Sequence, residues 1–442
     1  MNLRVVSLGR EEVNVESYLN RNTFRQLEVE ESVERIISRV REKGDRAVLD
    51  YTREFDGVWL KAEDLPVYPE EIDAAYGEVE KEFIAALKVA KLRIEEFHRK
   101  QLKESWFMSE DNGTILGQLI RPLEKVGLYA PGGRAVYPSS VLMTAIPAKL
   151  AGVKELILCT PPDREGRVNP QLLVAAKETG VSKVFRCGGA QALAALAYGT
   201  ESIPRVDKIV GPGNIYVATA KKQLYGQVDI DSIAGPSEVV IIADSWANPS
   251  WIAADLIAQA EHDPEAAAIL ITSDKDLAVK VCASLERQLK GFERREIVEQ
   301  ALKEQGIIFL VQDLQQAAEV SNLIAPEHLQ LMIKDPWSLL GQIKSAGAVF
   351  LGEFSPVAAG DYSAGTNHVL PTGGTARFFS ALSVDHFLKK INLASISACG
   401  LAQFGQTVMV LARGEGLPGH ARAIQIRLKG EKEEEAWQGL EK

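Results

Sequence analysis

The first hundred residues carry their apolar positions at helical spacing. Val33, Ile36, Ile37 and Val40 form one stripe, and Phe83, Leu87, Ala90, Ile94 and Phe97 form another. Charged residues fill the opposite faces, as on amphipathic helices lying on a core. Gly44 and Gly57 punctuate the first two helices. The region up to about Lys103 therefore reads as helical, and its stripes are assigned packing, not chemistry. From Val126 short apolar runs alternate with helical stretches: VGLY, ELILC, KVFRC and DKIV each lead through a loop into a helix. A second series starts at EVVIIAD and continues through AAILIT, IIFLV and AVFLG. This alternation predicts parallel α/β sheets, two in tandem, divided near IDSIAGPSE. From about Arg377 the pattern turns helical again and ends in the charged segment KGEKEEEAW.

Composition narrows the class. The 442 residues hold 50 basic and 60 acidic side chains, a net charge of −10, which argues against nucleic acid as the main partner because phosphate contact needs a basic surface. Cys159, Cys187, Cys282 and Cys399 lie far apart and form no CxxC pair. They read as reduced thiols of a cytoplasmic protein. The amino terminus lacks the apolar core of a secretory signal. No run approaches the ~18–20 apolar residues of a membrane span; the nearest, VLMTAIPAKLAGV, is interrupted by Pro147 and Lys149.

Histidine is scarce and unevenly placed. Five of six lie in the second half: His262, His328, His368, His386 and His420. Four of these stand beside carboxylates, Gly or Pro, in QAEHDP, APEHLQ, AGTNHVLP and EGLPGHAR. That arrangement suits a metal or proton-transfer site, since imidazole both ligates metals and titrates near neutrality. In QAEHDP, Gln259 and His262 are three apart in the expected last turn of a helix that Pro264 stops, so both leave one face. The competing reading is a histidine placed by the dipole at a helix carboxyl end. In APEHLQLMI, Glu327 and His328 mark the mouth of a strand. Adjacent strand residues face opposite sides, so two tasks are expected, with proton transfer the natural one; an exposed loop pair is the alternative. GDYSAGTNHVLPTGG offers Asp361 and His368 in glycine-rich backbone fit to close over a ligand, or a plain surface loop. Near the end, Pro418 opens a helix with His420 just inside it and Glu415 five residues before. His98 and His386 read as packing or helix-surface residues. The loops GPGN and GGAQ each open a helix and can meet an anion, yet neither is a GxGxxG with an acid ~20 residues on.

Taken in order, VGLYAPGG, CGGAQALAALAYGT, VDKIVGPGNIYVATAKKQLYG, IAGPSEVVIIAD, QAEHDP, IAPEHLQL, SPVAAGDYSAGTNHVLPTGGTAR and EGLPGHARAIQIR resemble the histidinol dehydrogenase family over nearly the whole chain. The resemblance implies two Rossmann-like parallel-sheet domains with small helical terminal segments. It sets residues 1–25 apart as an amino-terminal segment and joins 26–128 to 238–376 in a discontinuous domain carrying the zinc and catalytic residues. Residues 129–237 become the NAD-binding domain, and 377–442 a carboxyl-terminal segment exchanged in a homodimer. The implied reaction is oxidation of L-histidinol to L-histidine through L-histidinal, with two NAD. Gln259, His262 and Asp361 would hold one zinc ion per subunit, with His420 of the other subunit. His328 would be the base and Glu327 would activate water. Ser237, His368 and Glu415 would contact substrate, joined by the zinc ligands and His328, while Tyr129, Gln191 and Asn214 would contact NAD. The segment departs from the family in Thr366, where Pro more often precedes Asn-His. Cys159 and Cys187 end strands without a nearby base, so buried thiols are expected instead of a covalent nucleophile. A related enzyme acting on another small alcohol such as sulfopropanediol, or a zinc hydrolase using Glu327, would be the alternatives.

Overall fold

The computed structural model describes residues 3–9, 15–19, 27–132 and 136–429. Strand β1 (Arg4–Ser7) precedes four helices, α1 (Leu27–Lys43), α2 (Asp45–Asp56), α3 (Pro69–Glu78) and α4 (Lys81–Arg99). Strands β2 (Trp106–Ser109) and β3 (Ile115–Pro122) follow. Alternation then sets in with β4 (Lys125–Tyr129), α5 (Pro138–Ala151), β5 (Glu155–Thr160), α6 (Pro170–Thr179), β6 (Lys183–Arg186), α7 (Gly189–Tyr198), β7 (Lys208–Val210), α8 (Ile215–Leu224) and β8 (Asp229–Ile230). The second series runs β9 (Glu238–Ala243), α9 (Pro249–Ala260), β10 (Ala267–Thr272), α10 (Lys275–Gln288), α11 (Arg295–Gln305), β11 (Ile307–Leu310) and α12 (Leu314–Ile324). It continues with β12 (His328–Met332), α13 (Pro336–Leu340), β13 (Ala348–Leu351) and α14 (Val357–Tyr362). β14 (Leu388–Ser395), α15 (Ala398–Gly414) and α16 (Pro418–Lys429) end the described chain.

By contact the chain divides into two units, Met1–Leu102 with Leu123–Phe387, and Lys103–Pro122 with Leu388–Lys442. The first unit holds both parallel sheets. One has five strands in the order β6-β5-β4-β7-β8, the other six in the order β1-β11-β10-β9-β12-β13. The tandem α/β units read from the sequence are these two sheets. Strands such as EVVIIA are buried at every position, the composition of parallel strands covered on both faces. In the five-stranded sheet the chain steps outward from β4 to β5 and β6, then returns to the other side for β7. The switch between β4 and β7 opens a crevice at their carboxyl ends, where α/β sheets bind ligands.

Two expectations are corrected here. Helices α1 to α4 pack chiefly on the five-stranded sheet, and α4 also reaches the segment 238–376 through Arg93 to Ser363 and His98 to Asn367. The stripe of Val29, Val33, Ile36, Ile37 and Val40 packs on α7 and α8, and Leu87 and Ile94 of α4 share a core with α5 and α6. Their apolar faces are thus spent covering the five-stranded sheet, which also owns β4. The region before Lys103 is not wholly helical either, because β1 pairs in parallel with β11.

In the second unit β14, β3 and β2 form an antiparallel sheet, and β14 lies where a helical pattern was expected. All four residues of β2 are exposed and most of β14 is too, so neither carries a one-sided apolar alternation. Helix α15 packs on α16, with Gly405 facing Ile424 and Leu428. Among the described residues no helix is long and apolar enough to cross a membrane.

Candidate active site

Helix α12 ends at Ala325, whose φ of 48° is the one positive value among described non-glycine residues. That conformation is strained for a residue with a Cβ. Pro326 follows, and the turn delivers Glu327 and His328 to the amino end of β12. Both side chains are buried. They do not take opposite sides, as strand alternation led us to expect: Glu327 precedes the first paired residue, so pleating does not govern it. Its Oε2 accepts a hydrogen bond from the Glu238 amide at 2.9 Å and lies 3.4 Å from Nδ1 of His328.

The same peptide strand sets the histidine. Nδ1 of His328 lies 3.1 Å from the Glu238 carbonyl oxygen. A carbonyl only accepts, so Nδ1 carries a proton. In the neutral ring the lone pair is then on Nε2, which is buried without a hydrogen-bond partner and 3.7 Å from Oδ1 of Asp361. Burial alone would lower the His328 pKa, but the carboxylates of Glu327 and Asp361 outweigh it and carry it up to about 10. Asp361 responds in the opposite sense. Burial would raise it, yet the neighbouring imidazoles of His328, His368 and His262 hold it below the usual carboxylate range.

Asp361 lies in α14, which packs on α9. Gln259 is in the last turn of α9 and buried, with Nε2 lacking a partner. The helix stops at Ala260, so His262 stands beyond it in an exposed bend; the shared last turn read from the sequence is two residues too long. Its charge still reaches Asp361. Among the described residues no group of three His, Cys, Asp or Glu side chains is placed to hold a metal. To any one expected site a single chain contributes only two such residues, His262 and Asp361, beside the Gln259 amide. Those donors do fit zinc chemically, through imidazole nitrogen and oxygen. The unpaired amide of Gln259 fits as well: turned about its axis it offers Oε1 where Nε2 now stands idle.

His368 bridges α14 and α5. Its Nδ1 is 2.9 Å from the Asp361 carbonyl oxygen and its Nε2 3.2 Å from Oγ of Ser140 in the first turn of α5. Burial keeps its pKa low. Ser237 is half-buried just before Glu238. Asn367, after Thr366, donates to the Met143 carbonyl at 2.7 Å and meets Nε2 of His98 at 3.2 Å. His98 is fully buried and structural, as expected, and His386 is half-buried against Ser383.

The expected cofactor residues gather at the carboxyl edge of the five-stranded sheet. Tyr129 ends β4, its hydroxyl accepting from the Gly189 amide at 3.1 Å. Gln191 is buried in the first turn of α7 with Oε1 unpartnered. Asn214 caps α8, accepting from the amides of Tyr216 and Val217. The GPGN loop is held from below by a feature the sequence reading missed. Lys221 donates to the Gly211 carbonyl at 2.5 Å and to Asp231 at 2.6 Å. Asp231 in turn accepts from the Gly211 amide at 2.8 Å. Gly211 has φ 121° and its Cα faces the Tyr129 carbonyl too closely for any Cβ. Only glycine fits there. Cys159 and Cys187 are buried in mutual contact, which with burial pushes the Cys187 thiol up; a thiolate nucleophile is disfavoured. Glu415 and His420 belong to the second unit, the one capping the carboxyl end of α15 and the other in the first turn of α16, both exposed.

A family profile described as histidinol dehydrogenase matches residues 19–428. The histidinol dehydrogenase of Syntrophotalea carbinolica is 55% identical over 401 residues, covering 91% of this chain and 93% of its own. That of Moorella thermoacetica is 54% identical over 395 residues, covering 89% and 93%. The solved histidinol dehydrogenase of Elizabethkingia anophelis superposes with a TM-score of 0.90 at 38% identity, covering 97% of this chain and 98% of that one.

Proposed function

The chain belongs to the histidinol dehydrogenase family of NAD-dependent oxidoreductases, and on that premise we propose that it oxidises L-histidinol to L-histidine through L-histidinal, reducing two NAD. The observation that carries this reading is the His328 imidazole, bonded through Nδ1 to the Glu238 carbonyl and bare at Nε2. Its buried Nε2 has no protein partner, and it becomes a free base once a cation on Asp361 draws off the negative charge that raises its pKa.

Gln259, His262 and Asp361 would hold zinc, with His420 reaching over from a second subunit of a homodimer. Bound there, zinc supplies orientation and selectivity for a substrate bearing imidazole and amine nitrogens, and NAD supplies the hydride acceptor for both oxidations. His328 takes the hydroxyl proton of histidinol at Nε2, while its Nδ1–H stays on the Glu238 carbonyl. Glu327, buried beside the ring, takes a proton from the water that adds to the aldehyde. His328, having released its first proton to solvent between the two oxidations, then accepts the proton of the resulting hydrate at Nε2. His368, Ser237 and Glu415 position the substrate; Tyr129, Gln191 and Asn214 hold the cofactor at the switch crevice. Zinc held at Asp361 would lower the affinity of His328 for its proton, which would suit a base working near neutrality. The free cysteines fit a cytoplasmic enzyme of amino-acid biosynthesis.

The substrate alternative, another small alcohol such as sulfopropanediol, gains no support from relatives that bear the histidinol name. Chelation tests the reading: metal-depleted protein should lose histidinol-dependent NAD reduction and regain it with zinc. Full activity without metal, or equal turnover of sulfopropanediol, would refute it.

A further inference from the structure

Gln330 stands in the middle of β12, wholly buried in a strand otherwise made of His328, Leu329, Leu331 and Met332. An amide in such a place costs stability unless it is bonded, and a leucine would fill the volume without that cost. Its Nε2 donates to Oδ2 of Asp255 on α9 at 2.8 Å, while its Oε1 is buried with no partner. Among the described residues this is the one hydrogen bond between α9 and β12.

Both partners are placed by the site. Gln330 follows His328 by two residues, so the two side chains leave the same face of the sheet. Asp255 precedes Gln259 by four residues on α9, so those two share one helical face. The bond thus ties the strand of the expected base to the helix of an expected metal ligand. Phe350, paired with Gln330 across to β13, lies on that face as well, its ring 6.2 Å from that of His328. Helix α14, which brings Asp361, is seated on Phe350 through Gly360, where a Cβ would strike the ring. Shape alone sets that seat. Helix α9 instead meets the sheet through Ile252, Ala253 and Leu256, in a core shared with Val239, Ile241 and Met332. Apolar burial of this kind has no direction, whereas a hydrogen bond fixes both direction and length. Asp255 provides that bond although burial pushes its carboxyl up.

We propose that the Asp255–Gln330 hydrogen bond is the strut that sets Gln259 against His328, which makes both partners positioning residues for the metal ligand and the base. The inference rests on the zinc reading above. Without the bond α9 shifts along the sheet and Gln259 moves with it, and a displacement of about 1 Å is enough to impair a site of this kind.

Zinc affinity of the full-length protein, measured by competition with a chromogenic chelator, tests this alongside kcat and both KM values. Gln330→Leu keeps the volume and removes the donor. It should bind zinc about 10-fold or more weakly, the usual cost of losing a group that orients a metal ligand, and lower kcat while KM for NAD stays unchanged. Asp255→Ala, at a half-buried helix position, should show the same pattern. The two substitutions together should cost no more than the worse one alone, because the same bond is lost once. Asp255→Asn keeps an acceptor for Nε2 and offers a donor to the idle Oε1, so its zinc affinity should stay within about 3-fold of the parent. Parental zinc affinity and kcat in Gln330→Leu or Asp255→Ala overturn the proposal, even where stability falls. So do additive losses in the double variant, or an Asn variant as impaired as the Ala one. A parent that binds no zinc overturns the metal reading itself, whereas a parent that binds zinc and variants that match it overturn the strut alone.

Discussion

Nε2 of His328 stands 3.7 Å from Oδ1 of Asp361. The expected base and an expected metal ligand are therefore neighbours, and charge placed on one is felt by the other. The peptide of Glu238 holds the far side of the ring and the carboxylate of Glu327 alike. Strand β9 thus fixes both expected proton-transfer groups through the N–H and C=O of one residue.

That coupling predicts a pH response. The base works only when Nε2 is unprotonated, so turnover rises as pH passes through the His328 ionisation. Glu327 and Asp361 raise that ionisation. Glu327→Gln removes one negative charge, and the rising limb of the first oxidation should move to lower pH. Stopped-flow hydride transfer across pH reads it; a limb moving upward would contradict the geometry.

His328→Gln should lower turnover by about 10²–10⁴-fold, the range for a lost proton-transfer group, and keep its zinc. His262→Ala should lose the zinc. Metal content and rate measured on the same samples separate the two. Zinc lost from the first variant and kept by the second would reverse the assignments.

The proposed sharing of His420 between subunits predicts complementation. His328→Gln and His420→Ala chains, each inactive alone, should regain about one quarter of parental activity when reassembled at random as dimers. Half the dimers are then mixed, and each carries one intact site. No recovery in verified mixed dimers would mean that His420 serves its own chain.

The buried Lys221–Asp231 pair clamps both polar groups of the Gly211 peptide. Breaking one side leaves an uncompensated charge, typically a loss of about 3–5 kcal/mol. Asp231→Asn should lower stability in denaturant and raise KM for NAD more than KM for histidinol. Equal effects on both KM values would deny the loop its role.

Asp56 predicts stability against pH. Its folded pKa of about 6 lies above the ordinary 3.8, so the folded state binds the proton more tightly. The associated stability is present below about pH 4 and is lost as pH rises through about 6. Partial exposure screens the effect to about 1–2 kcal/mol. Asp56→Asn should be the more stable protein at pH 7 by that amount, with the difference vanishing in acid. Urea titrations at pH 4 and pH 7 measure it.

Much of this was legible in the chain. The apolar runs of β9 and β10 announce themselves because both faces are covered. The motifs around His262, His328 and His368 stood out by their company of Gly, Pro and carboxylate. Strands β2 and β14 were not legible, since exposed edges need no alternation. The packing partners of α1 to α4 were hidden too, because an apolar stripe records that a face is buried and not against what. Glu238 acts through its peptide, which no side-chain pattern reveals, and the strain at Ala325 is a property of backbone. The clamp at Gly211 joins Lys221 and Asp231 across a strand crossing that spacing alone does not disclose.

The central claim is a base and a water-activating carboxylate serving two successive oxidations in one site. The most direct test is to incubate zinc-loaded protein with limiting histidinol and excess NAD and count NADH formed against histidine formed. The account predicts two NADH for each histidine, without free aldehyde accumulating. One NADH per histidinol with the aldehyde as end product, or no NADH with zinc bound, would contradict it.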